Sequence, residues 1–272
     1  MEGLRAVASD LDGTLLRSDR TISEGTRRAV AAAEDAGVVV VIATGRPPRW
    51  IAPIVEQLGD RGLVVCANGA AVYDSSRHEI VRSTPLAADV AAELVAELSS
   101  AFPEAVIGVE QGFDFAIDES IRSAAPDLVA IWNLDDLRVG PILSFLDRPV
   151  LKLIVRLPPP AAPGTADAVQ AVVGTRALVT HSVDESFLEL SHPAVHKAVT
   201  VEHLLLDGGV AASEVVAFGD MPNDLELIRW AGWGVAVANA DPRVLEQADE
   251  VTASNDDDGV AIVLERLFGA GA

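Results

Sequence analysis

Arg5-Ala6-Val7-Ala8-Ser9-Asp10-Leu11-Asp12-Gly13-Thr14 is the stretch on which the fold turns. A short apolar run gives way abruptly to two aspartates and a glycine, the pattern of a buried strand that ends in a loop. Acids at such a strand end lie where open parallel sheets bind their ligands, outside the carboxyl edge. Asp10 and Asp12 together make a hard, oxygen-rich pocket suited to Mg²⁺. Taken alone, they suit equally well a turn in which both carboxylates cap backbone groups and Gly13 supplies the backbone angles.

The chain beyond this point alternates. Ser23 to Ala36 reads as a helix capped by Ser23 and stopped by Gly37. Val38–Ala43 is an apolar run without alternation, as in a strand buried on both faces. Pro47 to Leu58 reads as a second helix closed by Gly59, and Leu63–Ala67 as another buried strand. This rhythm predicts a Rossmann-like α/β core, a parallel sheet with helices on both faces.

Near Ser83 the rhythm changes. A helix over Pro85–Leu98 is followed by strands over Ala105–Glu110 and Phe113–Asp118. Further on come Val150–Leu157 as a strand, Thr165–Val173 as a helix, and Ala177–His181 and Phe187–Ser191 as strands. Mixed elements with longer loops predict an inserted α+β unit. The expected organisation is a core of residues 1–83 and 191–272, interrupted by an insert of 84–190. The parallel pattern then returns, with a helix from Lys197, a strand over Val215–Gly219 and a helix over Asn223–Trp230.

The strand Val215–Gly219 in that returning segment runs into Asp220-Met221-Pro222-Asn223-Asp224. Capping alone explains one strand-end acid cluster more readily than two in one sheet. Like charges packed together are costly unless a cation neutralises them. Lys152 and Lys197 are the only lysines in the chain.

Composition narrows the function. Half of the 272 residues are apolar, enough for a sizeable core, and the formal net charge is −21. Such a surface repels nucleic acid backbones and anionic lipid, so neither is expected as a partner. Cys66 is the only cysteine, so no disulfide framework is expected. Met1–Ala8 lacks the apolar core of a signal peptide, and no run approaches the length needed to cross a bilayer. The expectation is a soluble, cytoplasmic protein; the residues carry no signal for its oligomeric state.

Four stretches together resemble the haloacid dehalogenase-like hydrolase superfamily. Asp10-Leu11-Asp12-Gly13-Thr14-Leu15-Leu16 is similar to its first motif and Ala43-Thr44-Gly45-Arg46-Pro47 to its second. Lys197 stands at the third motif, and Gly219-Asp220-Met221-Pro222-Asn223-Asp224 is similar to the fourth. Asn68-Gly69-Ala70, together with an insert between the second and third motifs, resembles the Cof-type subfamily IIB, whose insert is a C2B cap.

The resemblance implies a phosphatase of small phosphorylated metabolites. Asp10 would attack phosphorus and become an aspartyl-phosphate. Asp12 would protonate the leaving oxygen and later take a proton from water. Thr44 and Lys197 would contact the phosphoryl group. Gly45, Arg46, Asn68 and Asn223 are further candidates for binding substrate. Asp10, the backbone carbonyl of Asp12, Asp220 and, in support, Asp224 would hold Mg²⁺. In the cap, Phe113, Phe115 and Asp118 are candidates for selecting the substrate. A sugar phosphomutase of the same superfamily is the alternative, distinguished by releasing little inorganic phosphate. A dehalogenase has no use for Asp12 as an acid, and a non-enzymatic sensor has no use for the full catalytic set. His181, His192, His196 and His203 lack metal-binding spacing, and Cys66, Trp50, Trp230 and Trp233 are expected to pack.

Overall fold

The structure, a computed structural model, describes residues 3–59, 62–125, 128–129, 137–181 and 185–269. They form two compact units, one of residues 1–46, 50–82 and 196–272, the other of 47–49 and 83–195. In chain order the strands are β1 (Ala6–Ser9), β2 (Val39–Ala43), β3 (Leu63–Cys66), β4 (Ala71–Asp74) and β5 (Glu79–Ser83). The next six are β6 (Val106–Gln111), β7 (Asp114–Asp118), β8 (Arg138–Gly140), β9 (Lys152–Arg156), β10 (Leu178–Thr180) and β11 (Phe187–Ser191). The last are β12 (Val215–Gly219), β13 (Trp233–Ala236) and β14 (Glu250–Val251).

The first unit is built on a sheet in the order β14-β13-β12-β1-β2-β3-β4-β5. Every adjacent pair from β14 through to β3 is parallel. In β1, Ser9 is level with Phe218 of β12 and with Ile42 of β2. The three chains therefore leave the sheet at one edge, where Asp10, Thr44 and Asp220 follow. Small and β-branched residues let this centre bury completely: Ala6, Ala8, Val41, Ala43, Val215 and Ala217 pack with Val201 and Leu205 of the helix Lys197–Asp207. The helix Glu24–Asp35 starts as expected, with Ser23 Oγ accepting from Thr26 N–H at 2.9 Å.

Three expectations give way here. Pro47–Leu58 is not one helix but 3₁₀ turns at Pro48–Trp50 and Glu56–Leu58 around a short α-helix, Ala52–Val55. Pro47, Pro48 and Pro53 remove donors and disfavour helix in the residue before each. Trp50, expected to pack, is 40% exposed on the first of these turns. The parallel pattern also gains an antiparallel edge, since β3 pairs with β4 in opposite directions across the turn at Ala67–Gly69.

The second unit has a sheet in the order β10-β11-β9-β6-β7-β8, antiparallel except for the β7–β8 pair. Ile107, Val109, Leu153, Val155, Leu188 and Leu190 face one side and pack with the helices Ala88–Ala101 and Thr165–Val173. On the other side Phe115 is buried with Val106, Ile117 and Ile154, so its ring is used in packing. Phe113 is exposed, and Asp118 accepts from Ser120 N–H at the following turn. Lys152 makes a buried ion pair with Glu189. Among the described residues no helix is long and apolar enough to cross a membrane.

Candidate active site

β1 brings Asp10 to the sheet edge, with its N–H held by Phe218 carbonyl at 2.9 Å. β12 ends beside it and delivers Asp220, and the 3₁₀ turn Pro222–Asp224 folds Asp224 back under the loop. Asp224 Oδ2 accepts from Asp220 N–H at 3.2 Å and from Met221 N–H at 3.0 Å. Lys197 enters as the first residue of the helix Lys197–Asp207. Its ammonium, itself buried, donates to Asp10 Oδ1 at 2.5 Å and to Asp224 Oδ1 at 2.7 Å. One carboxylate oxygen from each of Asp10, Asp220 and Asp224 lies within 4.8 Å of the others.

Two glycines make room for this convergence. Gly13 has φ +78°, and a Cβ there would stand 2.4 Å from Asp220 Oδ2. At Gly219 a Cβ would stand 2.5 Å from the Asp224 Cβ. Gly13→Ala thus strains the backbone and displaces an acid at once. We expect it to lower turnover on the order of tenfold or more, since small misplacements of a catalytic group are costly. Near-normal kinetics for Gly13→Ala would show that Asp220 is free to move without consequence.

The charges do not balance within the cluster. Three buried carboxylates face one ammonium, leaving two negative charges when all are ionised. Burial pushes Asp10 well above the ordinary carboxylate range, with Asp224 and Asp220 adding to the rise against the pull of Lys197. Burial and Asp224 likewise push Asp220 up to about 6, although a hydrogen bond from Thr14 Oγ1 at 2.9 Å works the other way. Burial alone would lower Lys197, but Asp10 and Asp224 outweigh it and keep the ammonium charged. A cluster of hard oxygen donors short by two positive charges fits a divalent metal ion.

The remaining candidates are spread along the same edge. The Asp12 carboxylate is not among the three converging acids; it is paired with Arg46. Thr44 is buried, with Oγ1 accepting from Arg46 N–H at 3.0 Å, and Gly45 lies between them. Asn68 is held left-handed at φ 56°; its N–H donates to Thr44 carbonyl at 3.0 Å and its Oδ1 accepts from Asn223 Nδ2 at 3.0 Å. Asn223 Oδ1 is buried with no partner among the described residues. Sequence reasoning assigned no role to Thr14, which braces Asp220, or to Asn239, which donates to Gly13 carbonyl at 2.8 Å. Thr14 directly follows the acidic loop and could have been found there; Asn239 sits after a different strand and carries no such signal.

Residues 7–264 match the haloacid dehalogenase-like hydrolase family. A 5-amino-6-(5-phospho-D-ribitylamino)uracil phosphatase of Bacillus subtilis is 30% identical, with 96% of this chain and 97% of that protein covered. A phosphoglycolate phosphatase of Methanothermobacter thermautotrophicus is 29% identical, covering 98% of this chain and all of the relative (100%). The solved structure of the subclass IIB sugar phosphatase BT4131 shares the fold at a TM-score of 0.81 and 20% identity, covering 97% of this chain and 98% of its own. These proteins have phosphatase activity in common, in agreement with the expectation of a phosphoric monoester hydrolase. The match over nearly the whole length, with motifs and fold in accord, makes the chain a member of the haloacid dehalogenase-like hydrolase family, in its Cof-type branch.

Proposed function

We propose that the chain is a Mg²⁺-dependent phosphatase of small phosphorylated metabolites that works through an aspartyl-phosphate on Asp10. The observation that carries this reading is the buried contact of Asp10 with Lys197, beside Asp220 and Asp224 at the carboxyl edge of a parallel sheet. Asp10 forms a bond to phosphorus as the ester P–O bond breaks, and Asp12 gives a proton to the departing oxygen. Water then attacks the phosphoryl group, Asp12 accepts its proton, and the bond to Asp10 breaks, releasing inorganic phosphate. Lys197 sets a positive charge beside the transferring group, and Thr44 offers it a hydroxyl. Asp10, Asp220 and Asp224 are the carboxylates that would hold the ion, and Asp12 would add its carbonyl. When bound, the ion offsets charge on the phosphoryl oxygens.

Residues 84–190 serve in this reading as the cap that chooses the substrate, with residues 1–83 and 191–272 supplying the chemistry. The relatives are named for esters as unlike as 5-amino-6-(5-phospho-D-ribitylamino)uracil and phosphoglycolate, which points to small metabolites as a class. Inorganic phosphate release from a panel of sugar, polyol and hydroxy-acid phosphates tests the reading. Turnover that survives excess chelator, or a product that retains all its phosphate, would overturn it.

The raised carboxyls also predict how the ion acts on stability. Asp220, ordinarily near 3.8, titrates at about 6 when folded, so the folded chain holds a proton that the unfolded chain has lost. The stability of the metal-free protein therefore falls as pH rises across that window, the sign for a raised acid. Mg²⁺ must displace those protons below it and meets bare carboxylates above it. We expect the rise in Tm on adding Mg²⁺ to be larger at pH 8 than at pH 5. Equal increments in a thermal melt would argue against binding at these acids.

A further inference from the structure

The Arg46 guanidinium meets the Asp12 carboxylate as a two-pronged fork. Nε donates to Oδ2 at 2.7 Å and Nη2 donates to Oδ1 at 2.5 Å. The two partners are unequally anchored. The Arg46 side chain is 18% exposed, whereas that of Asp12 is 51% exposed. Arg46 is also tied through its backbone, its N–H donating to Thr44 Oγ1 at 3.0 Å and its carbonyl accepting from Ala67 N–H at 2.9 Å. Among the described residues no other group donates to the Asp12 carboxylate. Asp10, Asp220 and Asp224 gather at the same sheet edge, and their field pushes a further carboxylate outward toward solvent.

The geometry points to Arg46 as a positioning residue that fixes the direction of the Asp12 carboxylate, rather than as a contact for the substrate anion alone. A guanidinium fork constrains a carboxylate in plane and in rotation, which a single ammonium cannot do. With the fork in place, Asp12 is held at the edge where Asp10 also emerges. Without it, a half-exposed carboxylate beside three buried acids spends its time turned to water. The inference rests on the reading of Asp12 as the group that exchanges a proton with the leaving oxygen.

The experiment is a double-mutant cycle. Arg46→Ala and Arg46→Lys are each made in the natural chain and in an Asp12→Asn background, with far-UV circular dichroism and melts to confirm folding. Kcat and KM are measured on an alkyl phosphate, whose leaving group needs a proton, and on p-nitrophenyl phosphate, whose leaving group does not. In the natural chain both Arg46 variants should lower kcat on the alkyl ester by about tenfold or more, and by less on the aryl ester. In the Asp12→Asn background the same changes should add no more than about a twofold loss, because the group being positioned is gone. Arg46→Lys keeps the charge and should not restore the alkyl ester rate. Losses that multiply fully in the Asp12→Asn background, or an effect confined to KM and rescued by lysine, would overturn the positioning role and leave the proposed function standing. Unchanged alkyl ester turnover in Asp12→Asn alone would instead remove the reading of Asp12, and the inference with it.

Discussion

Asp10→Asn should abolish phosphate release while leaving the protein folded. The substitution keeps the shape of the side chain and removes the charge that attacks phosphorus in the proposed mechanism. Residues that act as a unit with the nucleophile cannot substitute for it, so the loss in kcat is expected on the order of 10³ or more. The fold has less to lose. Asp10 is one of three buried acids facing one ammonium, and burial already raises its carboxyl. Removing its charge takes the ionised cluster from two uncompensated negative charges to one, and Lys197 keeps its hydrogen bond to Asp224 at 2.7 Å. We expect a Tm in metal-free buffer equal to or above that of the natural chain. Burst-free kinetics with near-normal phosphate release would require another nucleophile. A collapsed Tm would mean that the Asp10–Lys197 contact carries the fold as well as the chemistry.

Much of this site was legible because its acids follow directly on short apolar runs. Arg5–Ser9 and Val215–Gly219 read as short apolar strands that run into acids at a sheet edge, and β1 and β12 are indeed buried throughout. What failed was local contradiction of the same signals. The apolar residues from Ile51 to Leu58 have helical spacing, but Pro47, Pro48 and Pro53 break that stretch into turns. β4 follows Gly69 after a single alanine and spans four residues, too short to show a period. β5 is Glu79-Ile80-Val81-Arg82-Ser83, largely exposed, and so lacks the burial that marks a strand in sequence. The pairing of Arg46 with Asp12 joins residues 34 apart, and only the register of β1 against β2 brings their loops together. No local pattern encodes it.

Lys197→Met tests the same cluster from its other end and should give the opposite result for stability. Methionine matches the length of the stem but carries no charge. Asp10, Asp220 and Asp224 would then face one another with no cation of the protein's own, three negative charges in place of two. Removing one partner of a buried ion pair is strongly destabilising, by about 3–5 kcal/mol, because the remaining charge stays buried and unpaired. Here the ammonium serves two carboxylates, at 2.5 and 2.7 Å, so both are left without it. Melting in metal-free buffer at alkaline pH should show the full loss, because removing Lys197 takes away a pull that lowers Asp10 and Asp220 and so pushes both carboxyls further up. Lowering the pH lets the acids take up protons and should recover part of it, the sign expected for carboxyls raised in the folded state. Catalysis should fall as well, on the order of 10²–10³ in kcat, the loss typical when a preorganised charge or donor at the transition state is removed. The two variants together separate roles that a single activity assay would merge. Both should depress turnover severely, yet Asp10→Asn should leave a stable protein and Lys197→Met an unstable one. Equal stability of the two in metal-free buffer would show that the cluster's charge is balanced in some other way, and the argument for a divalent ion at these three acids would lose its electrostatic ground.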